Sequence, residues 1–153
     1  RRRPSALAES VRSIHLNHHA CSFCSDERVI EQDGVAPHLT YCKPDWSPFL
    51  HLACNYTTHL TLYRTNLIRK IGGFRVGYEG AQDHDLMLRA VETTLKPVVH
   101  VPFCLYPWRA VDTSTAQSAD SKPYASAAGI KAITEALRRR GRPAGDAWDP
   151  APG

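Results

Sequence analysis

The stretch Ala20-Cys21-Ser22-Phe23-Cys24-Ser25-Asp26-Glu27 decides the fold. Residues 20–24, small or apolar at each position, read as a short buried strand, and the acids follow after Ser25. Open α/β sheets place their ligand crevice at the carboxyl ends of strands, so this reading delivers Ser25, Asp26 and Glu27 to a candidate site. Upstream, Ser5 stands at the cap position of a helix whose apolar positions Leu7, Val11 and Ile14 repeat at i, i+4 and i+7. That helix should end in the polar turn Asn17-His18-His19. Downstream, Asp33-Gly34 marks a turn, and Lys43-Pro44-Asp45-Trp46-Ser47-Pro48 is a stiff loop because two prolines fix the backbone around a tryptophan.

Residues 56–63 alternate and are rich in Thr, Leu and Tyr, which predicts a strand. Thr65 then caps a short helix carrying Leu67, Ile68 and Ile71, stopped by Gly72-Gly73. Beyond a loop with Gly77, Glu79 and Gly80, the run Gln82-Asp83-His84-Asp85 begins a helix with the stripe Leu86, Met87, Ala90 and Val91. The acids thus sit on a first turn, where the helix dipole favours negative charge. Residues 98–105 predict another strand, with Pro102 at an edge or bulge, running into Tyr106-Pro107-Trp108-Arg109. Residues 112–121 have loop composition, and a last helix with Ile130, Ile133 and Leu137 on one face ends at Gly141. Residues 143–153 read as disordered. Alternating strands and helices make the class α/β.

The 153 residues hold one ordinary domain or a piece of a larger one, and 42% apolar against 22% charged is a globular balance. No apolar run is long enough to cross a bilayer, and Arg1-Arg2-Arg3-Pro4 lacks the apolar core of a signal peptide. With Met87 as its one methionine, the chain reads as a fragment or processed product. Its net charge of +4 arises largely from arginines at the two ends, without a basic stripe interleaved with aromatics, so nucleic acid is not an expected partner. The five cysteines are odd in number and lie in apolar or strand-like segments, which disfavours a disulfide framework and points to a reducing, cytoplasmic setting. Cys21 and Cys24 with nearby histidines could form half a zinc site, as in an adaptor, but Cys42 and Cys54 supply no second pair at short spacing. Small hydrophobes in a buried strand explain Cys21 and Cys24 better.

Asp26 with Glu27, and Asp83 with Asp85, are two acidic clusters of the kind that serve metal binding and base catalysis. Alone, each could equally be a solvated turn or a dipole-complementing helix start. The ordered series Ser25-Asp26-Glu27, Lys43-Pro44-Asp45-Trp46-Ser47-Pro48, Asn55-Tyr56, His59-Leu60, Tyr63-Arg64, Gly72-Gly73-Phe74-Arg75, Glu79-Gly80, Gln82-Asp83, Asp85-Leu86, Leu88-Arg89 and Trp108-Arg109 resembles the family 2 glycosyltransferases. The resemblance covers residues 5–140 and is to the bacterial branch that builds O-antigen and other surface polysaccharides. It implies a GT-A-like mixed sheet flanked by helices, binding a nucleotide-diphosphate sugar donor in its first half and a glycan or lipid-linked glycan acceptor in its second. The family's opening nucleotide-binding units have no counterpart before Ser5, so the domain reads as incomplete. Residues 1–4 are a basic extension, 5–141 a partial transferase domain and 142–153 a tail. The missing N-terminal half is then an expected partner, and the chain by itself should not transfer sugar.

The resemblance also implies roles. Asp26 and Glu27 match the first two positions of an acidic motif that holds Mg²⁺ or Mn²⁺ against the sugar diphosphate, but the third position is Arg28, a cation that could pair with the diphosphate itself. Asp83 matches the catalytic base that takes the acceptor proton with inversion at the anomeric carbon. Gln82 would orient the acceptor or Asp83, and Asp85 would cap or brace the helix. Trp108-Arg109 ends a segment whose usual histidine is Pro107 here, leaving Arg109 as either a diphosphate partner or one side of a surface salt bridge. Trp46 and Trp108 could stack on a sugar or anchor packing. Lys43 and His59 are motif positions without a derivable role. The departures at Arg28 and Pro107 keep open a degenerate module that binds a glycan without turnover.

Overall fold

A computed structural model describes residues 5–30, 37–109 and 123–143. In chain order its elements are α1 (Ala6–Leu16), β1 (Ser22–Ile30), β2 (Pro37–Tyr41), α2 (Pro48–Ala53), β3 (Thr61–Tyr63), α3 (Thr65–Ile71), α4 (Gln82–Thr93), β4 (Val98–Arg109) and α5 (Pro123–Arg139). The strands form one mixed sheet centred on β1. Along one edge β1 pairs in parallel with β4 over its whole length. Its other edge pairs antiparallel with β3 at residues 22–24 and then with β2 at residues 27–30. Side chains alternate across the sheet. Phe23 meets Ala6, Ala20, Val101 and Leu105 on the α1 side, while Cys24 meets Leu67, Met87, Ala90 and Val98 on the other. This is an α/β fold with helices on both faces of a mixed sheet.

Several elements differ from their expected bounds for identifiable reasons. The first strand does not end at residue 24: β4 and β2 carry it on to Ile30, so Asp26 and Glu27 lie in mid-strand. The strand expected over 56–63 shrinks to Thr61–Tyr63, because the carbonyls of Thr58 and His59 turn to the Lys43 ammonium. β4 runs on through Tyr106, Pro107 and Trp108 to Arg109. Its register with β1 shifts on both sides of Asp26, and the shift takes up the stretch containing Pro102, as its missing N–H leads one to expect. Ser5 makes no side-chain cap, Thr65 is the first residue of α3 with Arg64 at the cap position, and the stripe of α1 faces solvent: Leu7, Val11 and Ile14 are exposed, whereas Ala6 and Ser10 are buried. In α5 the fully covered positions are Ala128, Ala132 and Ala136, with Ile130, Ile133 and Leu137 half-buried, since only small residues admit the close approach of α4. The turn at Asp33-Gly34, the loop over 112–121 and the tail beyond residue 143 fall outside the described residues.

Helix α4 is buried from His84 through Ala90, which makes it a core element rather than an amphipathic surface helix. Two charges on it must therefore find partners. Asp85, fully buried, receives Arg89 Nε at 2.9 Å one turn on and the Arg75 guanidinium, which also reaches Glu135 on α5 at 2.9 Å. Burial alone would raise the Asp85 pKa, but the hydrogen bonds from Arg75 and Arg89 outweigh it and hold the carboxyl below its usual range. Arg89 also donates to the carbonyls of Ile71 (2.7 Å) and Gly73 (2.5 Å). These follow the left-handed stop of α3, where Gly72 has φ 80° and Gly73 N–H reaches back to Ile68 O. Asp85 and Arg89 thus brace α4 against α3 and α5.

Beneath α2 lies a second buried cluster. His51 is fully covered, sits 4.7 Å from the His84 ring and 5.1 Å from Trp46, and its carbonyl contacts His84 Nε2 at 2.7 Å. Neither His51 ring nitrogen has a hydrogen-bond partner among the described residues. Burial, then His84, lowers the His51 pKa to about 3.

Three outcomes follow from this packing. Asp85→Asn strands Arg89 and Arg75 and should cost about 3–5 kcal/mol in urea unfolding. Gly80→Ala should cost about 1–3 kcal/mol, because φ is +88° and an added Cβ would meet Ala125 Cβ at 2.6 Å. Between about pH 6.5 and about 3 the unfolded state holds a proton on His51 that the folded state lacks, so stability falls on acidification through that window. His51→Leu should flatten this slope; an unchanged slope would place the titration elsewhere.

Candidate functional site

The site begins where β1 changes partner. Ser25 is still tied to the segment before β3, its N–H donating to Leu60 O at 3.0 Å and its hydroxyl accepting from Leu60 N–H at 3.3 Å. Glu27 is already paired with Tyr41 of β2. Asp26 falls between them, and its Oδ1 accepts from the Lys43 backbone N–H at 2.8 Å and contacts His100 Nε2 at 2.8 Å. The other ring nitrogen of His100 lies 3.5 Å from Asp45, whose carboxylate is exposed, so one imidazole links two carboxylates. Glu27 faces the segment leading into β3: its Oε2 is 2.8 Å from His59 Nδ1 and its Oε1 accepts from Thr58 Oγ1 at 3.4 Å.

Lys43 holds that segment. The side chain is buried, and Nζ donates to the carbonyls of Thr58 and His59, at 3.0 Å for the latter. Burial lowers its pKa, with Glu27 foremost among the groups that oppose the shift. The His59 ring is stacked on Tyr106 at 5.2 Å and tilted against Trp108 at 6.0 Å. Strand β4 therefore contributes a wall to the site through two aromatics and one imidazole. His100 was not among the residues singled out by sequence; its only local signal is a polar side chain within the apolar run Val98-Val99-His100-Val101. Tyr106 was likewise seen only as part of a strand end.

Asp83 meets this assembly from the other side. A cavity of about 250 Å³ is lined by Asp83 together with His59, Leu60, Tyr63, Phe74 and Tyr106. Asp83 Oδ1 accepts from the His84 N–H at 3.0 Å. The Tyr63 hydroxyl has its pKa raised by burial first and then by the Asp83 charge, so it stays protonated as a potential donor at the cavity wall. Of the two acidic clusters, Asp83 lines the cavity itself, Glu27 reaches it only through His59, and Asp26, turned to Lys43 and His100, is not among its lining residues.

The remaining expected residues separate from this centre. Arg28 Nε reaches across to Thr40 Oγ1 of β2 at 3.2 Å, and Pro107 is its neighbour in β4. Arg109 closes β4 opposite Ile30, and its side chain lies outside the described structure. Gln82 accepts from the Gly80 N–H at 2.7 Å and so secures the preceding turn. Asp85 is taken up by Arg89 and Arg75 and lies away from the cavity lining. Trp46 stacks on Tyr56 and packs on the Cys21–Cys24 core, which makes it an anchor of the aromatic cluster. Trp108 packs against His59, and its buried Nε1 has no partner among the described residues. Cys21 and Cys24 are buried, and no group of three metal-capable His, Cys, Asp or Glu side chains occurs among the described residues. No described helix is long and apolar enough to cross a membrane.

No family model matches the chain. It is 39% identical over 137 residues to the uncharacterized protein y4gI of Sinorhizobium fredii, covering 89% of this chain and 15% of that protein. It is also 34% identical over 151 residues to the O-antigen biosynthesis protein RfbC of Myxococcus xanthus, covering 97% of this chain and 12% of that protein. The chain therefore spans only a small part of either relative's length.

Lys43→Met should release the carbonyls of Thr58 and His59. We expect a loss of about 2 kcal/mol in stability and faster hydrogen exchange at Leu60 and Thr61. Unaltered exchange there would mean that other contacts hold the segment.

Proposed function

We propose that this chain is the acceptor-side part of an inverting glycosyltransferase that acts in polysaccharide biosynthesis at the cytoplasmic side of the cell. The observation that carries the reading is the shared cavity of Asp83 and the Glu27-held His59, residues that occupy family motif positions in sequence. The similarity to an O-antigen biosynthesis protein supports the biological setting.

In this mechanism the Asp83 carboxylate accepts the proton of an acceptor hydroxyl as that oxygen attacks the anomeric carbon of a nucleotide-diphosphate sugar. The new glycosidic bond forms as the bond from anomeric carbon to phosphate oxygen breaks, and the nucleoside diphosphate leaves with the electron pair. His59, its Nδ1 committed to Glu27, offers its other ring nitrogen to a sugar hydroxyl, and the aromatic surface of Tyr106 and Trp108 fixes the ring. Lys43 keeps the His59 backbone in place.

Mg²⁺ or Mn²⁺ would neutralise charge on the leaving diphosphate. Glu27 has both oxygens engaged, and Asp26 Oδ1 already takes two contacts. Among the described residues, Asp26 Oδ2 and the exposed Asp45 remain as oxygen ligands, fewer than a hard divalent ion takes. These residues suit an ion that arrives with the diphosphate better than one held by protein alone. The same commitments, with Arg28 turned to Thr40, favour the second reading, a glycan-binding module without turnover.

The test is sugar-nucleotide hydrolysis and transfer with Mg²⁺ or Mn²⁺ and a donor panel, on the chain extended upstream to its natural start. Asp83→Asn should lose about a thousandfold in rate while its circular dichroism and melting stay those of the parent. Equal turnover by parent and variant would remove Asp83 as base, and an inactive parent would leave the binding module as the better account.

A further inference from the structure

A groove of about 980 Å³ lies at the far end of α4 from Asp83. Helix α4 has 12 residues, so its ends are roughly 18 Å apart. The first turn carries the candidate base, and the last turn with the connection to β4 lines the groove. Lys70, Lys96, Arg139 and Arg140 converge there from α3, the α4–β4 connection and the end of α5. Their acidic counterweights are Glu92, which serves both Arg139 (2.5 Å) and Arg140 (3.0 Å), and Glu135, 3.8 Å from Arg139 and shared with Arg75. Arg89 also lines the groove but is neutralised by Asp85. Four cations against Glu92 leave an excess of three positive charges among the lining residues of the groove.

The groove is not simply a charged surface. Half-buried Ile71, Val91 and Trp46 form its deeper wall, and Leu95 stands fully exposed beside Lys96. Phe49, next to the groove-lining Pro48, is 83% exposed. A single exposed leucine needs no explanation. Exposed apolar side chains set among cations, on an apolar wall, match a ligand with both anionic and hydrocarbon parts. A small soluble anion would satisfy the lysines and leave Leu95 and the wall in water.

We propose that this groove docks the protein on an anionic lipid bilayer, with Lys70, Lys96, Arg139 and Arg140 on lipid phosphates and Leu95 in the headgroup–acyl boundary. The surface then lies at the end of the fold away from the Asp83 cavity, which stays open to solution. The proposal is independent of what that cavity does.

The experiment is vesicle co-sedimentation of the full chain at about 0.1 M salt. It compares phosphatidylglycerol–phosphatidylcholine vesicles with pure phosphatidylcholine, and adds inorganic phosphate as a competitor. The parent should partition onto the anionic vesicles, weakly onto neutral ones, and resist millimolar phosphate. Lys70→Glu with Lys96→Glu should weaken partitioning by roughly 25-fold or more, at about fivefold per cation at an anionic surface. Leu95→Ser should weaken it at constant charge, and both variants are at exposed positions whose folding is checked by melting. Asp83→Asn should bind vesicles as the parent does. Equal binding to neutral vesicles, full displacement by phosphate, or undiminished binding of the double lysine variant would overturn the proposal. The last outcome would assign vesicle binding to the terminal arginines.

Discussion

Strand β1 can run through Asp26 and Glu27 only because β4 pairs with it in parallel along one whole edge, and every feature of the candidate site depends on that pairing. With one edge secured, the other can change from β3 to β2 in mid-strand without ending the strand. The change leaves a break in the antiparallel ladder at Asp26, and backbone polar groups near a break must be satisfied some other way. Leu60 takes both sides of Ser25, Lys43 N–H takes Asp26, and the Lys43 ammonium takes the carbonyls of residues 58 and 59. A gap in the sheet is thereby filled by side chains with chemistry, and two carboxylates come to lie in partial burial with imidazole partners.

Helix α4 does for Asp83 what β4 does for Asp26. Because α4 is covered on all sides, it cannot rotate without exposing Met87 and Leu88 or unpairing Asp85. Buried ion pairs add little net stability once desolvation is counted, yet they are costly to break, and so they fix register more than they add strength. The Arg75–Asp85–Arg89 set, with Arg89 also on the carbonyls that end α3, is used in that way. The first turn of α4 is consequently held at the cavity, and its last turn at the cationic groove.

Charge is distributed along this axis. Asp83 stands on the first turn of α4 at the cavity, and Lys70, Lys96, Arg139 and Arg140 gather about the groove at its last turn. A molecule so polarised presents different surfaces to a polar ligand at one end and an anionic one at the other.

By itself the sequence determined the elements with strong local signals: the helix after Gln82-Asp83, the stop at Gly72-Gly73, the irregularity at Pro102 and the buried character of Cys21 and Cys24. Each depends on a residue's own backbone preference or on a short period, which neighbours in the chain suffice to express. The pairing of Asp26 and Glu27 as neighbours, and of Asp83 with Asp85, was equally plain. Tertiary structure alone decided which of them face one cavity, that His100, Thr58 and Tyr106 join them, that Arg28 turns to Thr40, and that Trp46 packs inward. It also left Leu7, Val11 and Ile14 of α1 outside while burying Ala6 and Ser10. These are outcomes of strand register and helix approach between segments tens of residues apart. No local propensity encodes such contacts, because their energy is realised only when β1, β4 and α4 are already in place.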